Sequence, residues 1–182
     1  MLLDQNSRSA VFIDGAHLAH ASKAIDLQVD FKKLRDFLVR QTRLMQLTYY
    51  IALPDDTHEA PIHRLVDWLD YNGYKIVRKR LKVVDSEDGP RFKGGNLSTS
   101  IAVDLLSAGP RIDQVLIFSG DGSLSAAIKA LQAKGTRVSV VSTFKGGQQI
   151  ADGLRRSADR CFELDDIREE IARDASLIEQ HV

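Results

Sequence analysis

Two apolar runs in this chain stop on acid-glycine pairs, and they constrain the fold more than any other feature. The first is Val11-Phe12-Ile13-Asp14-Gly15. The second is Val115-Leu116-Ile117-Phe118, followed by Ser119-Gly120-Asp121-Gly122. A run without polar alternation is what a strand shows when helices cover both of its faces, as in a parallel sheet. Ligands of open α/β sheets bind just outside the carboxyl ends of such strands. Asp14 and Asp121 are thus expected at one edge, and a third acid, Asp104, lies in a helical segment that can reach the same cleft.

The rest of the chain reads as alternating strands and helices. Asp30 is placed to cap a helix with Phe31, Leu34, Phe37 and Leu38 on its apolar face. Leu47 to Leu53 reads as a strand, and Ile62, Leu65, Val66 and Leu69 mark a helix closed by Asn72-Gly73. Trp68 on this helix is expected to pack. Tyr74 to Val77 reads as a short strand before the basic run Arg78 to Lys82, and Asp85 to Gly95 as a mobile loop. Leu97, Ile101 and Leu105 mark a further helix, and Leu124, Ile128 and Leu131 another after the second Asp-Gly strand. Val138 to Val141 is a buried strand, Ile150 to Ala158 a helix, and Cys161 to Leu164 an edge strand. An amphipathic helix over about 165–176 closes the chain, its Ile167 and Ile171 offering a seam for a homodimer. The fold class is α/β, a single domain over 1–182 with a mostly parallel central sheet.

Composition excludes several function classes. The 25 basic and 25 acidic residues cancel, so nucleic acid could be held only by a local patch. A single cysteine, Cys161, leaves no disulfide and no thiol cluster for zinc. No apolar stretch approaches the ~20 residues of a membrane helix, and no leader pattern opens the sequence, so a cytoplasmic protein without membrane contact is expected. A haloacid-dehalogenase-like phosphatase would need an acid at position 16, which is Ala16. Gly15-Ala16-His17-Leu18 lacks the glycine pattern of a dinucleotide turn, and no Gly-x-Ser-x-Gly elbow occurs. A receiver domain would need a phosphoacceptor at the end of Leu47 to Leu53, and none is there.

Clustered carboxylates raise one another's pKa unless a cation neutralises them, and oxygen-only ligands suit Mg²⁺ or Mn²⁺. Such an ion favours hydrolysis of a phosphodiester. Each Asp alone is as readily a turn or helix-cap residue. Lys75, Arg78, Lys79, Arg80 and Lys82, with Arg91, Lys93, Lys145, Arg155 and Arg156, are candidate phosphate contacts, and Phe92 and Phe144 candidate stacking residues.

Five segments occur in an order that resembles NYN-domain proteins of the LabA-like group in the PIN-like nuclease superfamily. They are FIDGAHL (12–18), KGGNLSTSIAVDLL (93–106), FSGDGSL (118–124), KGTRVSVVS (134–142) and LRRSADRCFEL (154–164). The resemblance spans about residues 9–167. It implies a PIN-like three-layer α/β/α sandwich with an acidic pocket that holds Mg²⁺ or Mn²⁺ and acts on single-stranded or structured RNA. Asp14, Asp104 and Asp121 match the family's acids and become the implied metal ligands. His17, Arg91, Lys93 and Asn96 become candidate substrate contacts.

The chain also departs from the family pattern. His17 stands at the usual Asn, Ser98 at the usual Asp six residues before Asp104, and Ser123 at the second acid of the later motif. Both serines can position water or substrate but bring no charge. Two functions are therefore expected: a divalent-metal-dependent ribonuclease with a depleted acidic site, or a catalytically degraded domain that binds RNA or regulates.

Overall fold

The computed structural model describes residues 1–54, 61–86, 89–93, 97–108, 111–146 and 149–174. Side chains at Pro54 and at 82–93 lie outside the description. A seven-stranded sheet forms the middle layer, built from β1 (Arg8–Asp14), β2 (Arg43–Pro54), β3 (Lys75–Ser86), β4 (Gly89–Lys93), β5 (Gln114–Phe118), β6 (Arg137–Ser142) and β7 (Arg160–Glu163). Their spatial order is β4-β3-β2-β1-β5-β6-β7, parallel throughout except for the antiparallel β3–β4 pair.

Alternation along each strand builds the two outer layers. On β1, Val11 and Ile13 join one core with side chains of α1 (Gly15–Ala24), α2 (Phe31–Gln41) and α3 (Pro61–Tyr71). Ala10 and Phe12 join a second core with α4 (Ser98–Ser107), α5 (Ser125–Gln132) and α6 (Asp152–Ser157). All four β1 side chains are fully buried, which is why the run shows no polar alternation. The result is the expected α/β/α sandwich.

Strand order makes β1 the turning point. From β1 the chain winds outward through β2 and β3, then crosses to β5 on the other side of β1 and winds outward through β6 and β7. Crossovers of fixed hand place their helices on opposite faces when the direction of winding reverses. At that reversal the two connections leave the sheet edge in opposite directions and open a cleft between β1 and β5. Asp14 ends β1, and Asp121 follows β5 by three residues.

Several local expectations need correction. β3 runs twelve residues rather than four, and Gly89–Lys93 pairs antiparallel with its far half, so the described residues of the loop expected at 85–95 are strand, while 87–88 and 94–95 lie outside the described residues. The β-branched pair Val83-Val84 favours extended backbone there, despite the flanking charges. The helix expected over Ile150 to Ala158 is only Asp152–Ser157; Ile150 and Ala151 instead tie the chain to Thr143 and Gly120 through backbone hydrogen bonds. The closing helix shrinks to a 3-10 turn, Leu164–Ile167, and one α turn, α7 (Arg168–Ile171). Ile167 and Ile171 are buried in the first core, so they supply no seam to a second copy. Bonds from Asp30 N–H to the Ile171 carbonyl and from Arg173 N–H to the Gln28 carbonyl end the helix there. Trp68 lies on the outer side of α3, 36% exposed, instead of packing inward.

Candidate functional site at the β1–β5 edge

Asp14 and Asp121 are both helix caps, so the structural role weighed against function is real at each. Asp14 Oδ1 accepts a hydrogen bond from the His17 N–H at 3.2 Å, capping α1. Asp121 Oδ1 accepts from the Ser123 N–H at 2.9 Å, capping a 3-10 turn. Each cap uses one carboxylate oxygen, Oδ1. The second Asp121 oxygen accepts a short hydrogen bond from Ser98 Oγ, the first residue of α4. Burial pushes the Asp121 carboxyl up, but the bonds from Ser98 and Ser123 and the nearby His17 outweigh it, leaving the group below its ordinary value. Asp121 is thereby kept ionised, as a cation ligand must be.

Asp14, Ser98 and Asp121 line one cleft of about 690 Å³. Asp104 does not line it. It sits six residues beyond Ser98, about 9 Å further along α4 at 1.5 Å per residue. There its carboxylate accepts a 2.7 Å hydrogen bond from the Tyr50 hydroxyl, which this bond and burial push far above its ordinary pKa. Among the described residues, no group of three or more His, Cys, Asp or Glu side chains is arranged to hold a metal. Two carboxylates and a hydroxyl remain, an all-oxygen set that fits a hard divalent cation, since Mg²⁺ keeps several waters and takes only one or two carboxylates.

The other sequence candidates fall in different places. Ser123 is exposed, and both its backbone N–H, at 2.9 Å, and its side-chain hydroxyl bond to Asp121. His17 packs its ring against Gly120, and its Nε2 lies 2.9 Å from Ser142 Oγ. With His20, Asp14 and Asp121 it lines a second recess of about 340 Å³. Lys93 and Arg91 belong to β4, three strands from β1, or about 14 Å at ~4.8 Å per strand. Their side chains, and Asn96 altogether, lie outside the described residues. Arg78 pairs with Asp67 at 3.2 Å, and Lys145 with Asp165 at 3.0 Å. The Arg155 guanidinium lies over one face of Phe144, 4.8 Å from its ring centre.

Burial lowers the His17 pKa from 6.5, Asp14 opposes this, His20 adds to it, and Asp121 again opposes. A histidine held neutral in the fold takes up more protons when unfolded, so its stabilising contribution is complete above pH 6.5 and is lost as pH falls below it. Thermal melts between about pH 7.5 and 5.5 should show a steeper acid loss for the wild type than for His17→Asn. Equal slopes would mean that His17 is not held neutral.

Sequence reasoning missed Tyr49. Its ring packs directly on Gly15, where an added Cβ would lie 2.6 Å from ring atoms, and Phe31 meets it edge-on at 5.6 Å. Burial and the Asp14 charge push its hydroxyl up to about 12, so it remains a donor beside the acid. Nothing in the sequence marks it; in the fold Asp14 pairs in register with Tyr50, which brings the neighbouring Tyr49 beside the acid. Gly15→Ala is expected to cost about 2 kcal/mol by overpacking, lowering the melting midpoint by roughly 4–8 °C. In Gly153→Ala, a control, the new Cβ meets nothing closer than Ser125 Oγ at 3.6 Å, and no loss is expected. Equal melts for the two variants would show that the Tyr49–Gly15 contact is soft.

Comparisons with known proteins agree with this architecture. The chain is 32% identical over 166 residues to "Low amplitude and bright protein LabA" of Synechococcus elongatus, covering 89% of this chain and 86% of that protein. A crystal structure of a protein of unknown function from Vibrio parahaemolyticus superposes with a TM-score of 0.68 at 18% identity, over 94% of this chain and 99% of that one. That likeness shows the fold. The NYN domain profile matches residues 8–165, nearly every element from β1 to the 3-10 turn after β7, and so the chain belongs to the NYN domain family, a generally nuclease-like group.

Proposed function

We propose that this protein is a divalent-metal-dependent ribonuclease that hydrolyses RNA phosphodiester bonds in the cleft between β1 and β5. The observation that carries the reading is the convergence of Asp14 and Asp121, from the two strands at the winding reversal, on one cleft with Ser98. NYN domains typically depend on divalent metals and generally bind RNA. Asp14 and Asp121 would hold Mg²⁺ or Mn²⁺, which supplies positive charge against the phosphate. Ser98 holds Asp121 in its ionised, fixed orientation. Tyr49, a neutral donor next to Asp14, is placed to give a hydrogen bond to a phosphate oxygen. Asp104 acts as a positioning residue that ties α4 to β2 through Tyr50. Lys93, Arg91 and Asn96, just before α4, are assigned to the RNA backbone on sequence grounds.

One observation favours a second reading, a non-catalytic RNA-binding or regulatory module. Ser98 and Ser123 stand at two positions where the family pattern has acids, and among the described residues only Asp14 and Asp121 bring carboxylates to the cleft. The experiment is cleavage of a labelled RNA pool with Mn²⁺, Mg²⁺ or EDTA. Metal-dependent cutting supports the enzyme. RNA binding without cutting supports the module.

A further inference from the structure

The acids occupy only one end of the cleft. The remainder is walled by apolar side chains, chiefly Val29, Phe31, Leu53, Ile62 and Leu65. These are half-buried, whereas Val66 and Leu69 of the same helix α3 are fully buried in the core. Ile62 and Leu65 pack on the edge of the first core and leave part of their apolar surface to the cleft. Phe31 opens α2 and is braced edge-on by Tyr49 at 5.6 Å and by Tyr74 at 6.3 Å, so its ring is held in place. Tyr74 is itself fixed, since its hydroxyl donates to the Phe31 carbonyl at 2.7 Å. At the junction of the apolar wall and the acids stands the Tyr49 hydroxyl, with no hydrogen-bond partner among the described residues.

Such a cleft asks for a ligand that joins a phosphate to a flat apolar body. A lipid or apolar peptide would satisfy the wall and leave the two carboxylates buried without a counter-charge. A nucleotide satisfies both ends. About 690 Å³ lies within the range of small-ligand pockets and holds a base with its sugar. We propose that the apolar end of the cleft is a nucleobase subsite, in which the base attached to the phosphate that a divalent cation would hold at Asp14 and Asp121 packs against Phe31 and the Ile62–Leu65 face. The inference rests on the reading of the acidic end as a phosphate site. With apolar side chains along the wall, the base is recognised by size and stacking, so the subsite tolerates sequence and favours purines over pyrimidines.

The test reads binding, so it works whether or not the chain cuts. Short fluorescent single-stranded RNAs carrying one abasic residue, moved along the strand, are titrated in Mn²⁺ beside the intact strand and adenosine monophosphate. One abasic position should weaken binding about tenfold, with the others changed less than about twofold. Phe31→Leu should weaken intact RNA by a similar factor, and the two losses should not add. If that variant does not fold, the scan on the wild-type protein still decides. Tight RNA binding with a flat abasic scan overturns the base subsite and leaves the RNA reading in place. Binding of adenosine monophosphate but not RNA supports the subsite with free nucleotides as its source. Binding of neither overturns the subsite and the RNA reading together.

Discussion

Asp14→Asn/Asp121→Asn is expected to lower metal-dependent RNA cleavage by about a hundredfold or more, the scale on which removal of charge stabilisation at a reacting centre is felt. The double change is chosen because it spares the fold. Asparagine caps helices about as well as aspartate, and its amide oxygen can still accept from the N–H of His17 and of Ser123. Ser98 Oγ, now facing an amide nitrogen, can accept where it formerly donated. What disappears is the negative charge that would hold the cation. The melting curve should stay close to wild type in EDTA, and any stabilisation by Mn²⁺ should vanish. Undiminished cutting by the folded double variant would place the chemistry outside the β1–β5 cleft.

The second large effect is expected of Ser98→Asp/Ser123→Asp. Ser98 Oγ contacts one Asp121 oxygen directly, so an aspartate there brings two carboxylates together. Without a cation they repel, and one is pushed toward its protonated form. The variant should therefore melt below wild type in EDTA and gain more than wild type from Mn²⁺, with metal affinity raised about tenfold or more by the added charge. Titration calorimetry and paired melts check this. Ser123 is exposed, so solvent screens a charge placed there and it should contribute less than Ser98. Activity that appears only in the variant would identify the wild-type chain as a binding module on a depleted site. Comparable activity in both would show that two carboxylates suffice. A folded variant that binds Mn²⁺ and never cuts RNA would remove the basis for describing this cleft as a degraded nuclease centre.

Much of the architecture was legible because it depends on local patterning. Unbroken apolar runs marked β1 and β5, Asp30 was placed to cap α2, and Gly73 and Gly135 turn after their helices with φ of 86°. Misreadings fell where tertiary contacts override local preference. The charged far half of β3 and the short β4 form strands because each pairs with the other. The terminal helix stops after one turn because its backbone is taken up by α2 and the segment before it. Trp68, apolar by type, sits on a face of α3 that the core does not need.

At the site the same division holds. Asp14-Gly15 and Asp121-Gly122 could be read from sequence because an acid that ends a buried strand stands out against an apolar background. Asp104, equally acidic and equally part of the motif set, could not be separated from them, since helical spacing gives a residue's face and not its distance from a strand end. Six residues of helix rise take it down α4 to Tyr50, while Ser98 at the first turn reaches Asp121. Tyr49 and Phe31 were invisible as site residues because an aromatic in a strand or at a helix start carries no mark of the cavity it borders.

The sequence by itself determined the α/β class, the family, and the two acids delivered to the carboxyl edge, because strand period, chain punctuation and motif order are properties of neighbouring residues. Only the tertiary structure decided that β1 and β5 lie side by side, that Asp104 bonds Tyr50 while Ser98 bonds Asp121, and that an apolar wall continues the acidic cleft. Each depends on strand order and on which half of a helix meets the sheet edge, quantities set by packing the whole chain around two cores.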